Sequence, residues 1–169
     1  QSYVKEHGLV EVPQYYSIGD EIYEGSAGPS PSEFYRLMRE GSMPKSQAVN
    51  PAVVEKTFRE ILDAGKDILY ISFSSALSGS CDIVRMVAKQ LVEEEYPDAV
   101  IEVVDSLCVS LGEGLLVNKA LAMQAQGKTL AEVRDWLVEN AVHVCVKFTV
   151  DDLFHLQRGG RVSKATAVV

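Results

Sequence analysis

Between Lys66 and Val150 the chain alternates short apolar runs with amphipathic stretches, and this alternation constrains its fold more than any other feature. The runs have the length and the β-branched composition of buried strands. They are residues 67–73, 99–104 and 142–148. Strands that are separated by helices usually form parallel sheets covered on both faces. The sequence therefore predicts an α/β fold with a mainly parallel sheet and helices on both of its faces.

The predicted helices have recognisable starts and ends. Apolar residues from Ile83 to Leu91 recur at three- and four-residue steps, as on one face of a helix. A second helix over residues 115–123 ends near Gly127, and Thr129 opens a third through a capping box with Glu132. Two further helices are predicted in the first part of the chain, one from Pro31 to a stop at Gly41 and one beginning near Pro51.

The first residues favour a hairpin. Residues 10–18 alternate in part like a strand, and residues 21–23 can pair with them across Gly19-Asp20. No internal repeat or low-complexity tract interrupts the chain. We therefore expect a single α/β domain over residues 1–169.

Charge and cysteine usage exclude several classes of function. The net charge is −8, so the chain lacks the basic footprint that nucleic acid or an anionic membrane would require, and at most transient membrane contact is expected. No run is long enough to span a bilayer. Cys81, Cys108 and Cys145 suit neither a zinc site nor a redox pair, and the apolar neighbours of the last two indicate reduced core thiols in a cytoplasmic protein.

One polar segment stands at the end of the first predicted strand. It reads Ser74-Ser75-Ala76-Leu77-Ser78-Gly79-Ser80 and leads into a helix. Hydroxyls and backbone N–H groups at a helix start can hold a carboxylate or a phosphate. A serine that merely caps the helix would have the same sequence. Both interpretations stay open at this point.

Three further segments carry polar groups. Lys45, Ser46 and Gln47 lie in a loop predicted between two helices, where they could bind an anion or be ordinary loop residues. Asp105 and Ser106 follow the second predicted strand and could simply cap what comes next. The last segment, residues 151–162, has two arginines around a Gly-Gly turn.

Arg158 and Arg161 suit bidentate recognition of a carboxylate or phosphate. The alternative is a surface ion pair between one of them and Asp151 or Asp152. The lone histidines are better explained by structural roles: His7 at an exposed helix end, His143 in a buried strand and His155 on a short helix. No nucleotide loop, nucleophile elbow or metalloprotease motif occurs.

Four of these segments, taken in order, resemble one family. Residues 43–51 resemble the Thr-Ser-Gln loop of the DegV family, and residues 74–80 resemble its Ser-Ser-x-Leu-Ser-Gly-Thr motif. Residues 104–114 resemble its strand-to-helix element, and residues 148–161 its Arg-Gly-Gly-Arg stretch. The resemblance implies a DegV-like N-terminal domain that is incomplete at both ends, without the family's first strand and without its second domain.

The resemblance also implies a function and a site. Members of this family are bacterial carriers that bind one long-chain fatty acid without catalysis or a cofactor, and some present its carboxylate to a fatty-acid kinase. It implies a head-group site at Ser46, Ser78, Gly79, Arg158 and Arg161, where the arginines neutralise the head group or face the kinase. Further pocket residues are expected at Ser74, Ser75, Gln47, Phe73 and Leu77, with Phe148 another apolar candidate for the acyl end.

The sequence departs from the family pattern at two places. Ser46 stands where the loop threonine is usual, which keeps a hydroxyl, and Cys81 replaces a tyrosine after Gly79-Ser80. Two other functions are compatible with the sequence. A serine hydrolase would use Ser78 as nucleophile, although no His–Asp partner is evident from the spacing. A protein-interaction module would contain no lipid.

Overall fold

The computed structural model of the chain describes residues 2–25, 27–150 and 153–163. Helices and strands both occur, which confirms the predicted α/β class. The elements, in chain order, are α1 (Ser2–Glu6), β1 (Tyr15–Ile18), β2 (Glu21–Glu24), α2 (Pro31–Arg39), β3 (Lys45–Gln47), α3 (Pro51–Asp63), β4 (Ile68–Ser72), α4 (Ser80–Glu94), β5 (Ile101–Asp105), α5 (Leu111–Ala125), α6 (Leu130–Asn140), a 3₁₀ helix (Ala141–His143) and α7 (Leu153–Arg158).

The chain divides into two compact units. The first comprises Gln1–Ile68 and Asp82–Val103, and the second comprises Leu69–Cys81 and Val104–Val169. The first unit contains the predicted hairpin, in which β1 and β2 pair antiparallel with Ile18 opposite Glu21. Gly19 has φ +60, the left-handed conformation that the first position of such a tight turn requires.

The structure corrects two details of the N-terminal prediction. Strand β1 begins at Tyr15 rather than at Val10, since Pro13 has no N–H to give to a ladder. The segment around Ser46, which was predicted to be a loop, contains the edge strand β3, whose Ser46 lies opposite Tyr16 of β1. A strand of three polar residues has no hydrophobic pattern, so only its partner reveals it.

The first unit has an apolar core and a charged link at its surface. Its fully buried side chains include Val54 and Phe58 of α3 and Val84 and Leu91 of α4. Arg59 of α3 forms ion pairs with Glu55 and Glu95, and the hydrogen bonds to these carboxylates raise the pKa of its guanidinium. Tyr96 donates a hydrogen bond of 2.7 Å to the Asp63 carboxylate. These contacts join the C-terminal half of α3 to the two residues that directly follow α4.

Parallel pairing occurs between β4 and β5. Ile68 N donates to Val100 O at 2.9 Å, and Ser106 N donates to Ser72 O at 3.0 Å, so the two strands run in the same direction. Among the described strands, β4 and β5 form the only parallel pair. The sheet formed by β2, β1 and β3 is antiparallel. The first two predicted strands are therefore present as one parallel pair, and the described residues also form a separate antiparallel sheet.

The second unit has its own core, formed by β5, α5, α6 and the residues around them. Its buried members are Val104, Cys108, Leu116, Ala120, Met123, Val133, Leu137 and Ala141. The predicted end of α5 near Gly127 and the predicted start of α6 at Thr129 are confirmed, whereas α5 begins at Leu111, before the predicted residue 115. Gly127 has φ +79 after α5, and Thr129 and Glu132 form the expected reciprocal capping box. Hydrogen bonds from Lys128 and Thr129 lower the pKa of Glu132 to about 2.

The third predicted strand is wrong. Residues 142–148 follow α6 as the end of a 3₁₀ turn and then as irregular chain, and His143 is exposed rather than buried in a strand. The run has a strand-like composition, but none of the described residues pairs with it, and β-propensity depends on such neighbours. Cys145 is also exposed, so it is not a core thiol, whereas Cys81 and Cys108 are buried.

Candidate functional site

The serine loop, residues 74–80, connects β4 to α4 and is fixed by its backbone. Ser74 is buried, and its N–H donates to Cys108 O at 3.0 Å. The carbonyl of Ser74 then accepts from Leu77 N at 3.1 Å and from Ser78 N at 3.2 Å. The loop thus turns tightly at the carboxyl end of a strand, which is where open α/β sheets bind ligands.

The Ser78 hydroxyl lies at the start of α4 and has two neighbours there. It accepts a hydrogen bond of 3.2 Å from Ser80 N, and its Oγ lies 2.8 Å from Ser80 Oγ. Ser78 therefore does have the capping contact that the sequence left open. A hydroxyl has two acceptor sites and one proton. When Ser80 donates both hydrogen bonds, the proton of Ser78 remains available to an incoming anion.

Gly79 leaves space beside this hydroxyl. The residue is exposed, and a methyl group placed on its Cα would meet nothing within 4 Å. A ligand atom can therefore come close to the backbone at this position. Phe73, which precedes the loop, and Leu77 within it are half-buried, and Ser75 is exposed.

A second loop, residues 105–108, is tied to the serine loop. Asp105 Oδ1 accepts from Ser75 N at 3.1 Å and from Leu107 N at 3.0 Å. Sequence reasoning noted Asp105 only as a local cap and missed its link to Ser75. The position of Asp105 directly after a predicted strand was the available indication of a role. Its partner Ser75 could not be predicted, because it lies 30 residues away in the sequence.

The other expected site residues are divided between the two units. Ser46 and Gln47 belong to the edge strand β3 of the first unit, and both are exposed. Arg158 ends α7 in the second unit, and Arg161 follows it after a turn at Gly160, whose φ is +77. Phe148 is 65% exposed.

The two arginines belong to one turn. Arg161 N donates to Leu156 O at 3.0 Å, and the Arg161 guanidinium donates to the carbonyl of Gly159. Both side chains are exposed. The ion pairs considered for Asp151 and Asp152 lie outside the described residues. The turn therefore has the two exposed cations that the sequence indicated.

Glu113, in the first turn of α5, is a half-buried carboxyl group of the second unit whose acidity is changed by its surroundings. Burial raises its pKa to about 7. Burial and then the nearby Glu113 charge raise the pKa of Tyr70 to about 12, and the same two causes, with Asp105, raise that of Cys108. Sequence reasoning missed Glu113, because a charge in a helical first turn is ordinarily exposed.

The raised pKa of Glu113 predicts a specific pH dependence. A carboxyl whose folded pKa is about 7 binds more protons in the folded than in the unfolded state between about pH 4.5 and 7, so stability falls as the pH rises through this window. We expect Glu113→Gln to raise the free energy of unfolding by about 1–2 kcal/mol at pH 8, a value reduced for the partial exposure of the side chain.

At pH 4.5 the two proteins should be equally stable, because the carboxyl is then protonated in the folded state. Urea unfolding at both pH values measures the difference. A gain of equal size at pH 4.5 and pH 8 would show that the substitution acts through packing and not through charge. Glu102→Gln is a suitable comparison at a half-buried strand position.

The described residues contain neither a candidate metal site nor a candidate membrane span. No group of three or more His, Cys, Asp or Glu side chains in that part of the chain could hold a metal ion. None of its helices is long and apolar enough to cross a membrane.

Comparison with known proteins finds relatives along the whole chain. The family model described as "Uncharacterised protein, DegV family" matches residues 1–169. A DegV domain-containing protein of Streptococcus pyogenes is 40% identical over 170 residues, which cover 99% of this chain and 59% of that protein. One from Clostridium perfringens is 43% identical over 140 residues, covering 83% and 48% respectively.

A solved structure is also similar. The structure described as fatty acid binding of a DegV family protein from Thermus thermophilus has a TM-score of 0.86 and 29% identity, and the match covers 100% of this chain and 59% of that one. The chain thus spans about half to three fifths of the length of the relatives that it matches.

Proposed function

This chain belongs to the DegV family, and we propose that its protein is a carrier that binds one long-chain fatty acid without a catalytic step. The observation that carries this proposal is the serine loop at the start of α4, where a hydroxyl, an open glycine and the first N–H groups of a 15-residue helix come together. The similarity to a relative described as fatty acid binding supports the choice of ligand.

In this proposal the head group is held by hydroxyls and by the backbone. Ser78 donates its proton to the carboxylate, Gly79 gives close access to the backbone, and Ser46 supplies a second hydroxyl. Ser74, Ser75 and Gln47 belong to the polar surroundings, and Phe73 and Leu77 to the apolar ones. A cation from Arg158 or Arg161 either neutralises the carboxylate or faces a partner protein.

Energetics favour a buried acyl chain with a well-paired head group. Burying about sixteen methylenes at about 0.8 kcal/mol each yields about 13 kcal/mol, enough to offset most estimates of the cost of association. An unpaired carboxylate in the same enclosure would be expensive. The hydroxyls and the arginine therefore matter because they allow the charged end to be buried.

The surroundings of Ser78 favour a carrier over a hydrolase. A serine nucleophile needs a base within hydrogen-bond reach. Among the described residues the Ser78 hydroxyl contacts the backbone N–H and the hydroxyl of Ser80, and neither is a base. A fatty-acid kinase remains the proposed partner, by family resemblance. We place the carrier in the bacterial cytoplasm, which suits the free cysteines Cys81, Cys108 and Cys145.

We propose further that the chain supplies the polar end of the pocket. Residues 1–169 would then form an incomplete N-terminal domain, and the remaining two fifths to half of a relative's length would complete the acyl tunnel. Tests of binding therefore need the full-length protein.

The first test is the lipid content of the full-length protein. We expect purified protein to release a fatty acid on denaturation, as detected by mass spectrometry, and delipidated protein to take up palmitate. Protein that carries no lipid and takes up neither palmitate nor oleate would refute the proposal. Turnover of an activated ester that disappears in Ser78→Ala would show an enzyme instead.

The second test addresses Ser78. Removing its hydroxyl should weaken palmitate binding about tenfold, as expected for one hydrogen bond to a charged group. Ser78→Thr keeps the hydroxyl and should stay within about threefold of the wild type. Ser32→Ala, an exposed serine in α2, is the matched control and should change nothing. Equal affinities of Ser78→Ala and Ser32→Ala would remove Ser78 from the site.

A further inference from the structure

Asp105 is the last residue of β5, and one of its carboxylate oxygens serves two loops. Oδ1 accepts from Leu107 N at 3.0 Å, which forms a local turn, and from Ser75 N at 3.1 Å, which reaches into the serine loop. Hydrogen bonds from backbone N–H groups to an ionised carboxylate are stronger than those between neutral groups. Asp105 Oδ1 therefore joins the serine loop to residues 105–108 through two hydrogen bonds.

Two backbone hydrogen bonds also join these parts of the chain. Ser106 N donates to Ser72 O, and Ser74 N donates to Cys108 O, each at 3.0 Å. Ser72 and Ser106 are fully buried, so these bonds are shielded from water. The pairing of β4 with β5 thus continues beyond the strands into the two loops, and Asp105 supplies the contact to Ser75.

The backbone that follows Asp105 is also strained. Leu107 has φ +53 and Ser110 has φ +49, although left-handed backbone is unfavourable for residues other than glycine. Strained residues persist where surrounding contacts hold them, and they are frequent at functional sites. The hydrogen bond from Leu107 N to Asp105 is one such contact, so the carboxylate stabilises the strained turn and the serine loop together.

We propose that Asp105 is the positioning residue of the head-group site, and this inference rests on the function proposed above. Its carboxylate fixes Ser75, and the turn from Ser74 then fixes Ser78 through the hydrogen bonds to the Ser74 carbonyl. Asp105 acts through these groups and does not touch the ligand. Its negative charge is matched by the two N–H donors, which limits its repulsion of an anionic head group.

The test compares a ligand that has a carboxylate with one that lacks it. In the full-length protein, Asp105→Ala should weaken palmitate binding about tenfold but hexadecanol binding less than about threefold, because only the carboxylate depends fully on the positioned donors. Asp105→Asn retains an oxygen that can accept both N–H groups, so its palmitate affinity should stay within about threefold of the wild type. Asp98→Ala, at an exposed aspartate before β5, is the control.

Hydrogen exchange gives an independent readout. The amides of Ser75 and Leu107 should exchange faster in Asp105→Ala, whereas the amides of Leu137 and other core residues should not. Equal losses for palmitate and hexadecanol would overturn the positioning role, as would an Asp105→Asn protein as weak as Asp105→Ala. Wild-type protein that binds neither ligand would refute the carrier function itself, a result distinct from either of these.

Discussion

Replacing Leu137 with alanine is expected to lower the free energy of unfolding by about 3 kcal/mol, within the range for leucine truncation in a core. Leu137 of α6 is completely buried, among the apolar side chains of the second unit that also include Val104 and Leu116. Removing three carbon atoms there loses their burial and leaves a cavity that the neighbouring helices fill only in part.

The neighbouring residue provides the control. Val138 is 59% exposed on the same helix, so Val138→Ala should change stability by less than about 0.5 kcal/mol. Urea unfolding followed by the fluorescence of Trp136 measures both, since this residue packs against the same core and is the single tryptophan of the sequence. Similar midpoints for the two variants would contradict a core centred on Leu137.

The parts of the fold that the sequence predicted well are those set by local chemistry. The capping box at Thr129 and Glu132 needs residues only three positions apart, and the helix beginning at Pro51 is capped by Asn50 beside it. The hairpin turn at Gly19 is likewise determined by adjacent residues. Each could be predicted because its partners are neighbours in the sequence.

The elements that were missed depend on distant partners. Strand β3 exists because Ser46 meets Tyr16, and the run at residues 142–148 is not a strand because no described strand lies beside it. The sequence itself indicated that the serine loop is polar. It did not indicate the attachment of that loop to Asp105 or the raised pKa of Glu113, because both follow from tertiary packing.

The second large effect is expected at Gly112 in the first turn of α5. The residue is buried, and a methyl group on its Cα would clash with Val146 Cγ2 and would lie 3.1 Å from Cys108 Cβ. Cys108 is buried and held by its neighbours, whereas Val146 is 36% exposed and, being β-branched, can relieve its contact only by a change of rotamer or a shift of its backbone. We expect Gly112→Ala to lower the free energy of unfolding by about 2 kcal/mol, although alanine is the better helix former.

Gly114, two residues further along α5, is the matched control. A methyl group there meets nothing within 4 Å, so Gly114→Ala should raise the free energy of unfolding by about 0.5–1 kcal/mol through helix propensity alone. The two substitutions are chemically identical and should have opposite signs in the same urea titration. Destabilisation by both would mean that α5 resists alanine for another reason.

The clash caused by Gly112→Ala should also weaken ligand binding at the proposed head-group site. Cys108 O accepts the hydrogen bond from Ser74 N that anchors the serine loop, so any displacement of Cys108 disturbs the loop that carries Ser78. In the full-length protein we therefore expect Gly112→Ala to weaken palmitate binding and Gly114→Ala to leave it unchanged. Val146→Ala removes the atom in closest conflict, so the double variant should recover stability. Because the 3.1 Å contact with Cys108 Cβ remains, recovery should be incomplete for both stability and binding.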